Sequence, residues 1–282
     1  MKEHEDLKQI VRNKYSEIAL QDKTMNESSC CGSGCCTTEA YTIMAEDYSQ
    51  LEGYNPDADL SLGCGLPTSF AKIKKGDVVI DLGSGAGNDV FIARHETGET
   101  GKVIGIDFTP AMIDKARANA EARGLVNVEF RQGDIEKMPV ASNIADVIVS
   151  NCVLNLVPDK GEVFKEIYRV LKPGGHFSIS DIVLEGELPN NLKEAAEMYA
   201  GCVAGAIEKK HYLEIIKNNG FIEIIIQKEK AIVIPDDILF NYLNNDQIRE
   251  FKLSNSLIKS ITVYAEKPLE EKKNCCGPEC CK

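Results

Sequence analysis

Tryptophan is absent from this 282-residue chain, aromatic residues make up only 6%, and histidine occurs four times, at His4, His95, His176 and His211. Basic residues are the minority: 32 Lys and Arg stand against 44 Asp and Glu, a formal net charge of −12. Without a basic stripe or an aromatic stacking platform the chain is a poor partner for nucleic acid, whose phosphates need neutralising. No apolar run approaches the roughly 20 residues that span a bilayer. The opening residues, Met1-Lys2-Glu3-His4-Glu5-Asp6, are acidic and carry no apolar export core. The expectation is a cytoplasmic chain with no membrane segment. Scarce histidine also removes the commonest side-chain base. What is abundant is cysteine, with 11 residues. In a reducing compartment these are core residues, ligands of soft metals or metalloids, or redox centres, rather than a disulfide framework.

The chain is organised around Val78-Val79-Ile80-Asp81-Leu82-Gly83-Ser84-Gly85-Ala86-Gly87-Asn88-Asp89-Val90. An apolar run, three alternate glycines and an amphipathic segment read as strand, tight turn and helix. Such a turn lets backbone N–H groups approach a ligand where the helix start favours negative charge. The next strand, Lys102-Val103-Ile104-Gly105-Ile106, ends in Asp107, 20 residues beyond Gly87. At that spacing a carboxylate can accept both hydroxyls of a ribose. The stretch therefore reads as a nucleoside site.

Around it, strands near 77–82, 102–106, 127–131, 145–150 and 176–183 alternate with helices near 87–97, 110–123 and 160–171, the pattern of a doubly wound parallel sheet. Lys172-Pro173-Gly174-Gly175 reads as a turn into the fifth strand. An amphipathic helix is expected over 5–20 and another over 39–50, capped by Thr37-Thr38. Beyond the sheet, the pattern predicts a helix over 190–208, a helix near 210–218, a strand Phe221–Gln227, a helix of about a dozen residues opened by Pro235, and a last strand Ser260–Glu266. Four parts follow: a helical and cysteine-rich extension over 1–60, a nucleoside-binding α/β domain over 61–185, helices and strands completing the fold over 186–266, and a flexible tail over 267–282.

A glycine-rich turn serves several nucleotides, so the cofactor has to come from its surroundings. Here the turn is preceded by the acidic Asp81. The third strand ends Gln132-Gly133-Asp134-Ile135, suited to bracket an adenine. The fourth begins Asp146-Val147-Ile148 and ends Ser150-Asn151. Together these resemble the class I S-adenosylmethionine-dependent methyltransferase pattern, which implies a Rossmann-like sheet, here with an N-terminal helical extension and a small C-terminal addition. Gly83, Ser84, Gly85 and Gly87 would hold the methionine end of S-adenosylmethionine, with Asp81 beside it. Asp107, next to Phe108, would take the ribose, and Gly133, Asp134 and Ile135 the adenine. Asn151 would lie at the carboxyl edge of the sheet, where such folds place ligands.

The acceptor has no obvious base, since His176 starts a strand and reads as structural. Cysteines stand there instead. Cys152 follows Asn151 at the mouth of the cleft, Cys64 sits between Gly63 and Gly65 upstream, and Cys202 lies on the segment after the fifth strand. Each alone is as readily a small core residue. Ser150-Asn151-Cys152-Val153-Leu154-Asn155-Leu156-Val157-Pro158-Asp159-Lys160, Leu62-Gly63-Cys64-Gly65 and Gly201-Cys202-Val203-Ala204-Gly205-Ala206 resemble the signatures of the arsenite S-adenosylmethionine methyltransferases, over residues 5–226. The resemblance implies that Cys64, Cys152 and Cys202 hold As(III), that Tyr48 packs against the cofactor, and that an N-terminal cysteine partners Cys64 in a redox relay. The chemistry is consistent: As(III) is soft and prefers thiolates. A neutral thioether leaves on methyl transfer, so no general acid is needed. The products would be mono-, di- and, at the limit, trimethyl arsenicals, with a thiol reductant of the thioredoxin or glutathione kind as co-substrate. The substrate would be As(III), free or as a thiol conjugate, and the chain would act as a monomer.

Two segments share the pattern CC-G-x-x-CC: Cys30, Cys31, Cys35 and Cys36 in one, Cys275, Cys276, Cys280 and Cys281 in the other. They could gather As(III), serve the relay or bind another soft metal, and which of the first four partners Cys64 is left open. Two other functions compete with arsenic methylation. One is a methyltransferase for a small carbon, oxygen or nitrogen acceptor. The other is a non-enzymatic soft-metal binder on the same fold.

Overall fold

The structure, a computed structural model, describes residues 2–20, 44–194, 203, 205–254 and 256–269. Both CC-G-x-x-CC segments, Cys202 and the tail beyond 269 lie outside the described residues. Among those described, no helix is long and apolar enough to cross a membrane.

After helix α1 (Lys2–Ala19) and the short α2 (Pro67–Phe70) comes the alternating core. It runs β1 (Val78–Leu82), α3 (Asn88–Thr97), β2 (Lys102–Asp107), α4 (Pro110–Ala122), β3 (Val128–Gln132), β4 (Ala145–Asn151), a 3-10 turn (Leu154–Leu156), α5 (Lys160–Val170) and β5 (Leu171–Glu185). Then follow α6 (Asn190–Glu194), α7 (Lys209–Asn218), β6 (Ile222–Ile232), α8 (Asp236–Leu239), α9 (Asn245–Leu253) and β7 (Leu257–Glu266). The seven strands form one sheet in the order β3-β2-β1-β4-β5-β7-β6. The first five are parallel, and β7 runs antiparallel between β5 and β6. This seven-stranded mixed sheet, β6 and β7 included, is the Rossmann-like class I methyltransferase sheet.

The central strands are apolar on both faces, as parallel strands covered by helices must be. Ile80 and Leu82 of β1 join a cluster with Phe164 and Ile167 of α5 and Tyr212 of α7. Val79 joins the opposite cluster with Val90 and Phe91 of α3, Met112 of α4 and Ile18 of α1. A third cluster, where the C-terminal helices meet the sheet, contains both Cys64 and Cys152.

Four expectations are corrected. Residues 44–50 are irregular rather than helical: Asp47 accepts the Ser49 N–H at 2.8 Å, and Leu51 N–H closes a turn on Tyr48 O. That local side-chain bond competes with helix. Lys172–Gly175 lies inside β5 as a bulge, where the register jumps from Ala145↔Leu171 to Val147↔His176. Gly174, with φ 81°, absorbs the extra residues. The helix expected over 190–208 is described only as Asn190–Glu194, and Val203 and residues 205–208 are not helical. The helix opened by Pro235 is two helices, because Asn244 and Gln247 form a capping box that starts α9 afresh.

Candidate active site

The strand order reverses at β1, which lies between β2 and β4, and this opens a crevice at the carboxyl ends of the strands. The turn after β1 forms its floor. Gly83 and Ser84 N–H both donate to Ile106 O, at 2.8 and 3.0 Å. Gly83 has φ 67°, and a Cβ there would lie 2.4 Å from Val153, so glycine is required on both counts. Gly87 lies behind the wall, in left-handed conformation, as the N-cap of α3. Nothing lies within 4 Å of a Cβ built on Gly85, so the turn faces open space. The cleft is open to solvent and is lined from the Gly83–Ala86 turn to Gly133–Ile135.

The sequence-predicted residues converge on this cleft. Asp107 accepts the Gly85 N–H at 3.0 Å through one oxygen and the Thr109 N–H at 2.8 Å through the other. Those bonds lower its pKa, but burial outweighs them and leaves it raised. Phe108, Gly133, Asp134 and Ile135 line the far end. There Lys8 of α1 reaches over and pairs with Asp134 at 2.6 Å and with Glu136. Asp81 and Asp89 are 2% and 8% exposed on the near side. Burial, together with Asp89 and Asp107, pushes Asp81 well above the ordinary carboxylate range. Burial raises Asp89 to about 6, against bonds from Asn151, Tyr48 and Thr68. With the buried Asp59 the cleft wall carries four buried carboxyls, a poor setting for an anion and a good one for a cation. Ser84 Oγ and Asn88 Oδ1, also on the wall, are buried without a hydrogen-bond partner among the described residues. A ligand with polar groups at the turn and positive charge beside the carboxylates fits these residues, and S-adenosylmethionine has both.

The thiols lie where the cleft meets the third apolar cluster. Cys152 is on the wall, 4% exposed; Cys64 is fully buried just behind Gly63, and neither is in a disulfide. The backbone of Cys152 is left-handed, φ 62°, a strained state for a non-glycine residue, and its N–H is held by Ser180 O at 2.8 Å. Cys64 O accepts Ser260 Oγ at 2.5 Å. Val203 packs in the same cluster. The described wall contains no histidine. His176 is a structural residue, its Nε2 2.6 Å from Ala71 O and its ring against Tyr264.

Reading the sequence missed Asp89, Thr68 and Lys8. Asp89 carries the pattern of any acidic residue in a first helical turn, and only the fold shows it clasped by Tyr48 and Thr68 at 3.0 and 3.3 Å. Nothing local to Lys8 marks its pairing across more than a hundred residues.

The fold and this cleft define a class I S-adenosylmethionine-dependent methyltransferase, and a methyltransferase-domain family model matches residues 73–220. Similarity extends well past that domain. The chain is 39% identical over 280 residues to an arsenite methyltransferase from Halobacterium salinarum, covering 95% of this chain and 68% of that one. It is 32% identical to one from Aquipseudomonas alcaligenes, over 83% of this chain and 68% of the other. The crystal structure of an arsenic(III) S-adenosylmethionine methyltransferase from Chlamydomonas reinhardtii superposes with a TM-score of 0.63 at 30% identity, covering 84% of this chain and 75% of that one. The chain belongs to the arsenite methyltransferase family.

Proposed function

We propose that the chain methylates trivalent arsenic held by the thiolates of Cys64, Cys152 and Cys202, in the cytoplasm, as a monomer and as a means of arsenic detoxification. The observation that carries this reading is two buried thiols, distant in sequence, sharing one apolar cluster at the edge of a cleft lined with carboxylates. Cys202 immediately precedes Val203 of that cluster. Each thiol replaces one hydroxide of arsenous acid: an As–O bond breaks, an As–S bond forms, and the thiol proton leaves in water. Arsenic keeps its oxidation state and its lone pair. When bound, S-adenosylmethionine supplies an electrophilic methyl group on a positively charged sulfur, the partner for that lone pair. The Gly83–Gly87 turn holds its methionine end, Asp81 and Asp89 face its cationic groups, Asp107 orients the ribose, and Ile135 walls the adenine. The apolar cluster excludes water from the thiols, and no side-chain base is required of the cleft.

Methyl transfer oxidises arsenic by two electrons. Cys64 and one of Cys30, Cys31, Cys35 or Cys36 return them by forming a disulfide, which thioredoxin or glutathione reopens. The terminal Cys275–Cys281 segment gathers As(III). Arsenic speciation by chromatography, after incubation with arsenite, cofactor and thiol, tests the assignment. Cys152→Ser and Cys202→Ser should each lower the arsenite rate by roughly 100-fold or more, and full activity in either would end the ligand assignment. Cys64→Ser should spare monomethylarsonite, which needs two thiols, more than arsenite, and equal losses would contradict that division. Truncation after Leu269 should raise the arsenite concentration giving half-maximal rate and leave the maximal rate alone. An unchanged requirement would remove the gathering role.

A further inference from the structure

The loop that carries Cys64 is tied to the sheet by Ser260 of β7, through Cys64 O, and by Asn151 of β4. Asn151, the last residue of β4, accepts the Cys64 N–H through Oδ1 at 2.9 Å and donates through Nδ2 to Gly65 O at 2.9 Å. Its amide thus grips the backbone on both sides of Cys64. The same Nδ2 lies 3.2 Å from Asp89 Oδ2 and against the Tyr48 hydroxyl. The Tyr48 hydroxyl is in turn 3.0 Å from both Asp89 Oδ2 and Gly65 O, and Thr68 Oγ1 donates to the other Asp89 oxygen at 3.3 Å. A Cβ on Gly63 would stand 2.5 Å from Asn151 Nδ2, so the glycine leaves the amide its seat. The residue after Asn151 is Cys152, itself locked by its strained backbone and its bond to Ser180 O. Asn151 therefore links the backbone of Cys64 directly to the strand that runs into Cys152, and both of its polar atoms are engaged by protein groups.

We infer that Asn151, oriented by Asp89, Tyr48 and Thr68, is a positioning residue that sets the spacing of Cys64 and Cys152, so that the two thiols close on arsenic as a chelate. This goes beyond the reading of Asn151 as a cofactor contact and rests on the proposal that these thiols take arsenic. For arsenous acid, which takes all three thiols, the step is balanced: the thiols of Cys64 and Cys152 with As(OH)3 give HOAs(S-Cys)2 and two waters. Two As–O bonds break, two As–S bonds form, and nothing is oxidised. A chelate gains over two separate thiols through the effective concentration of the second, which a misplaced loop forfeits.

The test measures arsenite capture by loss of free thiols, and S-adenosylmethionine affinity by calorimetry, in the full-length chain with the eight cysteines of the two CC-G-x-x-CC segments changed to serine. Asn151→Ala should weaken capture at least about ten-fold while cofactor affinity stays within about three-fold. Gly63→Ala, which displaces the amide without altering it, should do the same. Asn151→Asp, which sets a second carboxylate against Asp89 and cannot donate to Gly65 O, should be as defective as Asn151→Ala. Wild-type capture in both Asn151→Ala and Gly63→Ala overturns the inference and leaves the thiol assignment standing. A cofactor loss that matches the capture loss, or wild-type capture in Asn151→Asp, overturns it in favour of a cofactor contact or a general folding role. Failure of the wild-type chain itself to capture the arsenical, or capture unaffected by Cys152→Ser, removes the thiol reading instead.

Discussion

Asp181 is a fully buried carboxyl, 0% exposed, on the face of β5 that packs against α5 and α7. Tyr212 Oη donates to it at 3.3 Å and the Ile182 N–H at 3.0 Å, and burial still pushes its pKa up to about 7, against the opposing charge of Lys160. It is not on the cleft wall, so its consequence is for stability. Between its unfolded pKa near 3.8 and about 7 the folded chain binds the extra proton, so stability falls as pH rises through that window. Asp181→Asn should flatten the decline, by up to roughly 4 kcal/mol between pH 4 and 7. Denaturant melts at both pH values check it, and parallel wild-type and variant curves would show that Asp181 does not carry the slope. This charge is illegible in the sequence, where Ser180-Asp181-Ile182 reads as an ordinary alternating strand. The turn residues Gly83 to Gly87 and Asp107 were legible because their geometry is local. The meeting of Cys64 with Cys152 is not local: it depends on an amide that binds across the fold, and only the family resemblance pointed to it.

Helix α1 shows what an element adds beyond its residues. Its amphipathic pattern was plain, but not where its apolar face goes: Val11 enters the thiol cluster and Ile18 the cluster under α3 and α4. Lys115 Nζ holds its C-terminal end through Ala19 O at 3.0 Å, Arg12 stands 5.5 Å over the Phe108 ring, and Lys8 and Tyr15 reach the cleft wall. The helix thereby closes the end of the cleft that Asp134 and Ile135 form. Lys8 and Asp134 are 29% and 40% exposed, so the pair is salt-screened and contributes little to stability. Lys8→Ala should therefore lower cofactor affinity about five-fold, with the loss shrinking in high salt, and change unfolding free energy by less than about 1 kcal/mol. Titration at two ionic strengths decides it: an unchanged affinity would mean that α1 covers the cleft without fastening it. At the same scale, β7 between β5 and β6 could not be read from strand order along the chain, because an antiparallel insertion leaves no local mark in the residues that make it.

For the whole molecule, the net charge of −12 and the four buried carboxyls of the cleft act in the same direction. Asp81 and Asp107 are raised by burial and Asp89 stands at about 6, so part of this cluster is protonated near pH 6. A cation bound among them favours the ionised forms and lowers their pKa values. Binding must then release protons, and affinity must rise with pH between about 5 and 7. S-adenosylmethionine carries a sulfonium charge that its demethylated product lacks, so the product should release fewer protons and gain less from rising pH. Calorimetry at pH 6 in two buffers of different ionisation enthalpy reads this directly. Asp89 alone would contribute up to about half a proton. The same experiment on Asp89→Asn should remove that share and leave the rest. Heats that do not depend on the buffer would mean that the carboxyls keep their protonation on binding, and the predicted pH dependence of cofactor affinity would fall with them.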